Sequence, residues 1–432
     1  MFLIKSQEHE VLSLNSLSAE LKDQVSALHF SQYGYMQKPR FLGLEWGSED
    51  SLRCGYYIGA SWLIEGEVAV AVTPKEMVRD IDFVEMFMTA LAVDTDPEAS
   101  YFSKCYGIDF DSPRIEVPQE LCQVTPLILL HYITLLENLV KRGLKKGYKS
   151  QEENLNSKVR GQIYVPAHIQ QNICNQREDR AYCRYQEYTE DILENRLLKK
   201  ALNFAYRSIC SYKSFERKRV ELQSRLNRLF AAFVSVSDQV EVHQVARVSQ
   251  NKLYRHYVDA VRVAKMILRH FDNSITYLDE ESKETPPYWI DMPRLFELYV
   301  FSKLSKTYPN QILFQEKGFA GRCDFLKIAN EGTSEKLIMD AKYKPYYEGD
   351  TPVAWEDIQE ISGYARDKKL LETLGWFKDS VVDIQNVPPC VVIYPEYGEK
   401  EDSFDQESLL RNAQQVDQYT NFYKIAVKVP RV

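Results

Sequence analysis

Residues 321–345 read GRCDFLKIANEGTSEKLIMDAKYKP. Apolar residues run up to Asp324 and again up to Asp340, and Asn330-Glu331-Gly332-Thr333-Ser334 between them carries turn chemistry. The pattern predicts two adjacent antiparallel strands, the first bearing Asp324 and the second Asp340-Ala341-Lys342. Side chains two apart on a strand share a face, so Asp340 and Lys342 project together, roughly 7 Å apart along the chain. A hairpin then sets Asp324 beside them. Two carboxylates converging on a hard divalent cation, with an ammonium at the rim, suit metal-assisted hydrolysis of a phosphodiester. Acidic and basic residues also alternate on the solvated faces of ordinary hairpins, so the flanks must decide.

Upstream, Asp291 is a good N-cap and Pro293 fits the first turn of a helix. Met292, Leu295, Phe296, Tyr299, Val300 and Leu304 follow helical spacing, a stripe expected to pack on a sheet. Glu297 borders that stripe, where a carboxylate either reaches a shared site or stays solvated. Residues 311–315 read as a first strand. Beyond Lys342 come an irregular segment, a helix over 356–366, a buried β-branched strand over 388–394 and a last alternating strand over 423–429. Helix, three strands, helix, strand and final strand is the layout of a mixed sheet with helices on its faces.

That order, with Glu297, Asp324, Asp340 and Lys342 at those places, resembles the PD-(D/E)xK nuclease superfamily; Cys323 stands where many members have proline. The rest of the chain narrows the resemblance. Tyr57-Ile58-Gly59, Val70-Ala71-Val72-Thr73-Pro74-Lys75 and Asp82-Phe83 with Met86 look like the amino-terminal pattern of the McrC family. Gly143-Leu144 with Tyr148, Leu155, Val159-Arg160-Gly161-Gln162-Ile163, Cys183-Arg184-Tyr185, Tyr188-Thr189 and Asn195-Arg196-Leu197-Leu198 continue it. So do Asp340-Ala341-Lys342-Tyr343-Lys344 and Asp357, Gln359 and Tyr364. McrC is the nuclease subunit of a modification-dependent restriction system and works with McrB, a ring-forming AAA+ GTPase.

The resemblance implies a cytoplasmic endonuclease for double-stranded, methylcytosine-containing DNA, licensed by such a GTPase and stimulating it in turn. It implies Mg²⁺ held by Asp324, Asp340 and the Ala341 carbonyl, with Glu297 a further ligand, direct or through water. Lys342 would orient or help deprotonate a water, or stabilise the transition state. Gln359 and Tyr364 would position Lys342 or phosphate; ordinary helix packing is the other reading of both. Two other functions stay open: a regulator of the motor with a weak nuclease, and a stand-alone repair nuclease of the same superfamily.

Composition sets bounds. At 432 residues the chain is long enough for two or three domains with real cores. A net charge of −8 argues against a protein that coats DNA unaided, while leaving room for a local basic patch. Two basic clusters exist, Lys141, Arg142, Lys145, Lys146 and Lys149, and Lys213, Arg217, Lys218, Arg219, Arg225 and Arg228; solvated helix faces explain such clusters more often than nucleic acid does. The eight cysteines contain no C-x-x-C pair, so neither a zinc site nor a disulfide framework is expected, and a reducing cytoplasm fits. The opening MFLIKSQEHE lacks a signal-peptide core. Residues 126–140 are the most apolar helix but carry His131, Thr134, Glu137 and Asn138, so no membrane span is expected.

The expected fold class is a multidomain α+β protein. Residues 1–115 read as a β-rich domain with one helix near 83–92, and residues 116–285 as a mainly helical connecting domain, mixed in character around 159–186; the resemblance implies that both contact the GTPase partner. Residues 286–432 form the nuclease domain, after a charged, proline-ended linker at 279–287. The Gly143–Ser150 segment superficially resembles a phosphate-binding loop, but a helix precedes it and its glycine-to-lysine spacing is wrong.

Overall fold

The computed structural model describes residues 1–28, 40–48, 51–75, 81–92, 101, 104–109, 112–118, 124–245, 255–270, 282–319, 321–329, 334–344, 347, 352–378, 381–382, 386–396 and 404–431. They form two compact units, Met1–Leu127 with Asp279–Val432, and Ile128–Leu278.

In the first unit, β1 (Phe2–Gln7), β2 (Tyr57–Ile64), β3 (Val68–Thr73), β4 (Tyr106–Ile108) and β5 (Tyr288–Asp291) make a sheet in the order β1-β3-β2-β5-β4. The β5 segment lies far along the chain yet pairs antiparallel with both β2 and β4. Its approach requires Gly59, whose φ is +142°; a β-carbon there would meet the Tyr288 carbonyl oxygen at 2.1 Å. This strand is why 286–432 and 1–115 share one compact unit. Of the expected linker at 279–287, residues 282–285 are a strand paired antiparallel with Ile115–Pro118, and 279–281 lie outside the described residues. Among the described residues of the N-terminal region two α-helices occur, α1 (Ala19–Ser26) and α2 (Phe83–Leu91), where only the second was expected. Only Val25 of α1 is buried, so it has no apolar stripe for periodicity to register.

The stretch that opens with α3 (Met292–Thr307) builds a six-stranded sheet. Its strands are β6 (Ile312–Lys317), β7 (Arg322–Lys327), β8 (Leu337–Ala341), β9 (Cys390–Glu396), β10 (Gln414–Gln415) and β11 (Phe422–Lys428). The order is β6-β7-β8-β9-β11-β10, antiparallel from β6 to β8, then parallel through β9 and β11. This is the mixed sheet expected from the sequence. Every residue of β9 is buried, as its unbroken apolar run requires of a strand covered on both faces. Asp291 caps α3 by accepting the Arg294 N–H at 3.1 Å, and Met292, Leu295, Phe296, Tyr299, Val300 and Leu304 are all buried. Two further helices follow β8: α4 (Trp355–Tyr364) and α5 (Lys368–Leu374), the latter capped by Asp367. Of the expected turn at 330–334 only Ser334 is described.

The second unit contains the helices Leu193–Ser211, Arg219–Ala232 and Arg255–His270 and most of Val124–Arg142. Helical periodicity is interrupted more widely than expected: Gly147–Asn156 and Arg180–Thr189 pair over ten residues each as an antiparallel ribbon. Buried Asn195 ties helix to loop, donating to the carbonyls of Lys145 (2.9 Å) and Glu190 (2.7 Å) and accepting from the Tyr257 hydroxyl. The Gly143–Ser150 segment runs from a helix into a strand, the reverse of a phosphate-binding loop. His131 is buried, and burial pushes its imidazole down to about 3, so it is a neutral core residue. Among the described residues no helix is long and apolar enough to cross a membrane.

Candidate metal-binding hydrolytic site

The register of the six-stranded sheet lines up one rung of polar side chains. On β6 and β7, Phe314 pairs with Phe325 and Glu316 with Cys323, which sets Gln315 opposite Asp324. On β7 and β8, Phe325 pairs with Met339, and the next step sets Asp324 opposite Asp340. Around this rung the chain is apolar and buried: Cys323, Phe325, Leu326, Ile338 and Met339 are all at 0% exposure. Polar residues can occupy such a rung only if they satisfy one another.

They do so through a connected network. Asp324 Oδ2 accepts the Ala341 N–H at 3.0 Å, and Asp324 Oδ1 accepts Gln315 Nε2 at 3.2 Å. The same Gln315 amide donates to Glu297 Oε1 from α3. Lys342 Nζ lies 2.6 Å from Asp340 Oδ2 and donates to Glu360 Oε2 at 2.7 Å. Glu360 accepts the Tyr364 hydroxyl at 3.0 Å. The sequence-derived residues Glu297, Asp324, Asp340, Lys342 and Tyr364 thus converge, together with the backbone of Ala341.

Gln359 does not join them. It is exposed and makes no described hydrogen bond, because α4 turns Glu360 and Tyr364, one helical turn apart, toward Lys342. Glu360 and Gln315 are the two site residues that sequence reasoning missed. Glu360 could have been found as the residue four before Tyr364. No local signal marked Gln315, whose backbone φ of +55° is foreign to a strand.

Burial governs the electrostatics. It raises the Glu297 carboxyl to about 7, helped by the Asp340 charge and opposed by the Gln315 amide. It raises Asp324 well above the carboxylate range, with Asp340 and Glu297 adding to the effect. Burial raises Asp340 as well, against the pull of Lys342. At Lys342 burial works against the charge, but Asp340 and Glu360 outweigh it and hold the ammonium well above its ordinary range.

This donor set fits a hard divalent cation in kind. Three carboxylates from three elements offer only oxygen, and buried Asp340 Oδ2 has the Lys342 ammonium beside it at 2.6 Å. Burial is the main cause of their raised proton affinities, and at Asp324 and Glu297 the neighbouring carboxylates add to it. Among the described residues no three His, Cys, Asp or Glu side chains are already drawn together around a single point.

A family model described as "McrBC 5-methylcytosine restriction system component" matches residues 53–368. No curated protein matches the sequence. Among solved structures, a refined half-complex from a tetradecameric assembly of Thermococcus gammatolerans McrB AAA+ hexamers with bound McrC aligns over 100% of this chain and 95% of that one, at 15% identity and a TM-score of 0.41. The Thermococcus gammatolerans McrBC complex seen by cryo-EM aligns over 71% and 88%, at 16% identity and a TM-score of 0.32.

Proposed function

We propose a function from the premise that this chain belongs to the McrBC 5-methylcytosine restriction system component family. On that reading it is the McrC-type subunit, a Mg²⁺-dependent endonuclease of the PD-(D/E)xK kind acting on methylcytosine-containing duplex DNA, with an AAA+ GTPase ring of the McrB type as its partner. The observation that carries the nuclease assignment is the single rung on which Asp324 and Asp340 face each other, with Lys342 2.6 Å from Asp340.

Asp324, Asp340 and the Ala341 carbonyl would hold the ion, with Glu297 as a further ligand. When bound, Mg²⁺ lowers the pKa of an associated water and offsets charge growing on the phosphate. Lys342 contributes a positive charge beside Asp340. Its strongly favoured ammonium form suits orienting a water or neutralising a phosphate oxygen better than accepting a proton. Glu360 and Tyr364 anchor that ammonium from the far side, fixing its direction. Gln315 keeps Glu297 and Asp324 from flying apart while no cation separates them.

The test is cleavage of a methylated duplex by the chain mixed with its GTPase partner, GTP and Mg²⁺, against the same mixture carrying Asp340→Asn. Full cutting by the variant removes this rung from consideration. GTPase stimulation without cutting by the wild-type chain would leave a motor regulator instead.

A further inference from the structure

The hairpin joining β6 to β7 displays an aromatic ring beside the candidate site. Phe319 is 80% exposed, although its backbone is held firmly. The Gly318 N–H donates to the Gly321 carbonyl at 2.9 Å, closing the tip, and the Phe319 N–H donates to Asp367 Oδ2 at 2.6 Å. Asp367 in turn caps α5 through the N–H groups of Lys369 and Leu370. Gly318 sits so close to Asp367 that a β-carbon there would fall 2.3 Å from its carboxylate, and one at Gly321 would lie 3.6 Å from the Tyr364 hydroxyl. Burying a ring this large is the ordinary outcome of folding. Here the backbone is pinned and the ring is left in water.

Cations surround it. Lys317 and Arg322 stand directly opposite each other on β6 and β7, and Arg366, Lys368 and Lys369 flank the Asp367 that pins the tip. All five are exposed, and none has an acidic partner among the described residues; Arg366 reaches only the Ser362 carbonyl, at 3.3 Å. Like charges directly opposite across two strands destabilise a hairpin, so the Lys317–Arg322 pair has no folding rationale of its own. In the two basic clusters conspicuous in the sequence, several cations are paired with acids: Lys145 with Glu194 (2.7 Å), Lys146 with Glu190 (3.4 Å), Lys149 with Asp191 (2.7 Å) and Arg225 with Glu137 (2.7 Å). In a chain of net charge −8, exposed cations with no acidic partner among the described residues, gathered near the candidate site, suit an anionic partner.

We propose that this tip is the surface on which the nuclease unit seats duplex nucleic acid: Phe319 packs against or between bases next to the cut, and the five cations meet the phosphates on either side. The proposal rests on the nuclease reading for its choice of ligand. A rigidly held apolar side chain flanked by cations can wedge into a base step while phosphate contacts fix the register. It also reconciles the acidic chain with DNA, since docking needs only one local positive patch.

The test is anisotropy of a fluorescent duplex titrated with the full chain, with Ca²⁺ in place of Mg²⁺ so that no strand is cut, over a series of salt concentrations. Lys368→Ala with Lys369→Ala should weaken binding about tenfold or more and lower the salt slope by about two. Phe319→Ala should weaken it roughly five- to a hundredfold with the slope unchanged, and Phe319→Trp should restore it. Lys146→Ala, from a paired cluster, should change nothing. Unaltered affinity and slope in the first two variants overturns the proposal, as does a wild-type chain that leaves duplex unbound at low salt. Loss of GTPase partner binding by Phe319→Ala with duplex affinity intact overturns it too. Binding that falls as expected in a chain that never cuts supports this surface and removes the nuclease reading instead.

Discussion

Gln315 and Asp324 face each other across the β6–β7 hairpin, and the Gln315 amide reaches Asp324 at 3.2 Å from a backbone held at φ +55°. A left-handed non-glycine residue inside a strand costs on the order of 1–3 kcal/mol. The same amide also reaches Glu297.

Replacing Gln315 by glycine should therefore have opposing effects on stability. Two lost hydrogen bonds to largely protonated carboxyls cost ~0.5–1.5 kcal/mol each, and relief of the backbone returns a similar amount. Denaturant unfolding should show a net change below ~1 kcal/mol, while cleavage falls about tenfold or more because Glu297 is no longer held. A loss of more than ~3 kcal/mol would show that Gln315 is a packing residue.

Asp340→Asn and Lys342→Ala should each cut the cleavage rate to about one-hundredth or less, since aligning a cation or a compensating charge is worth several kcal/mol. Both should still assemble with the proposed GTPase partner, measurable by co-elution. Loss of assembly along with activity would mean the pair holds the fold together.

The neighbours Gln359 and Glu360 separate two accounts of α4. Glu360→Gln removes one of the two negative charges paired with Lys342 and should slow cleavage about 10–100-fold, whereas Gln359→Ala should leave it within about twofold. The reverse order in single-turnover rates would mean that this helix face is assigned wrongly.

Glu8 supplies a pH test away from the site. It is buried, its Oε1 has no hydrogen-bond partner, and its Oε2 accepts the Lys75 N–H and the Tyr343 hydroxyl. Burial raises its carboxyl to about 8, against the pull of Lys75. Because the folded value lies above the unfolded one of 4.5, unfolding releases a proton between the two, so stability is highest at the acid end of that window and declines as pH rises toward 8. The decline is at most ~1.4 kcal/mol per pH unit. Thermal melts of Glu8→Gln should be flatter between pH 6 and 8 than those of the parent chain; identical slopes would remove Glu8 as their source.

Much of this was readable along the chain. The Asp291 cap, the apolar stripe after it, the continuous β9 run and the shared face of Asp340 and Lys342 all follow from interactions within a few residues. Tyr364 joined the site as its position on α4 implied, while Gln359, equally well placed in sequence, turned to solvent. Part of the expected linker became a strand because its edge partner, Ile115–Pro118, lies more than a hundred residues away.

Periodicity, capping and turn chemistry are local, and they made legible which segments fold as helix or strand and which carboxylates share a hairpin face. Tertiary structure alone decided the partners: Glu360 for Lys342, Gln315 between Glu297 and Asp324, acids for Lys145 and Lys149, and, among the described residues, no acid for the cations around Phe319. The physical reason is that an ion pair or a buried hydrogen bond depends on a few ångströms in space between segments whose separation along the chain carries no record of it.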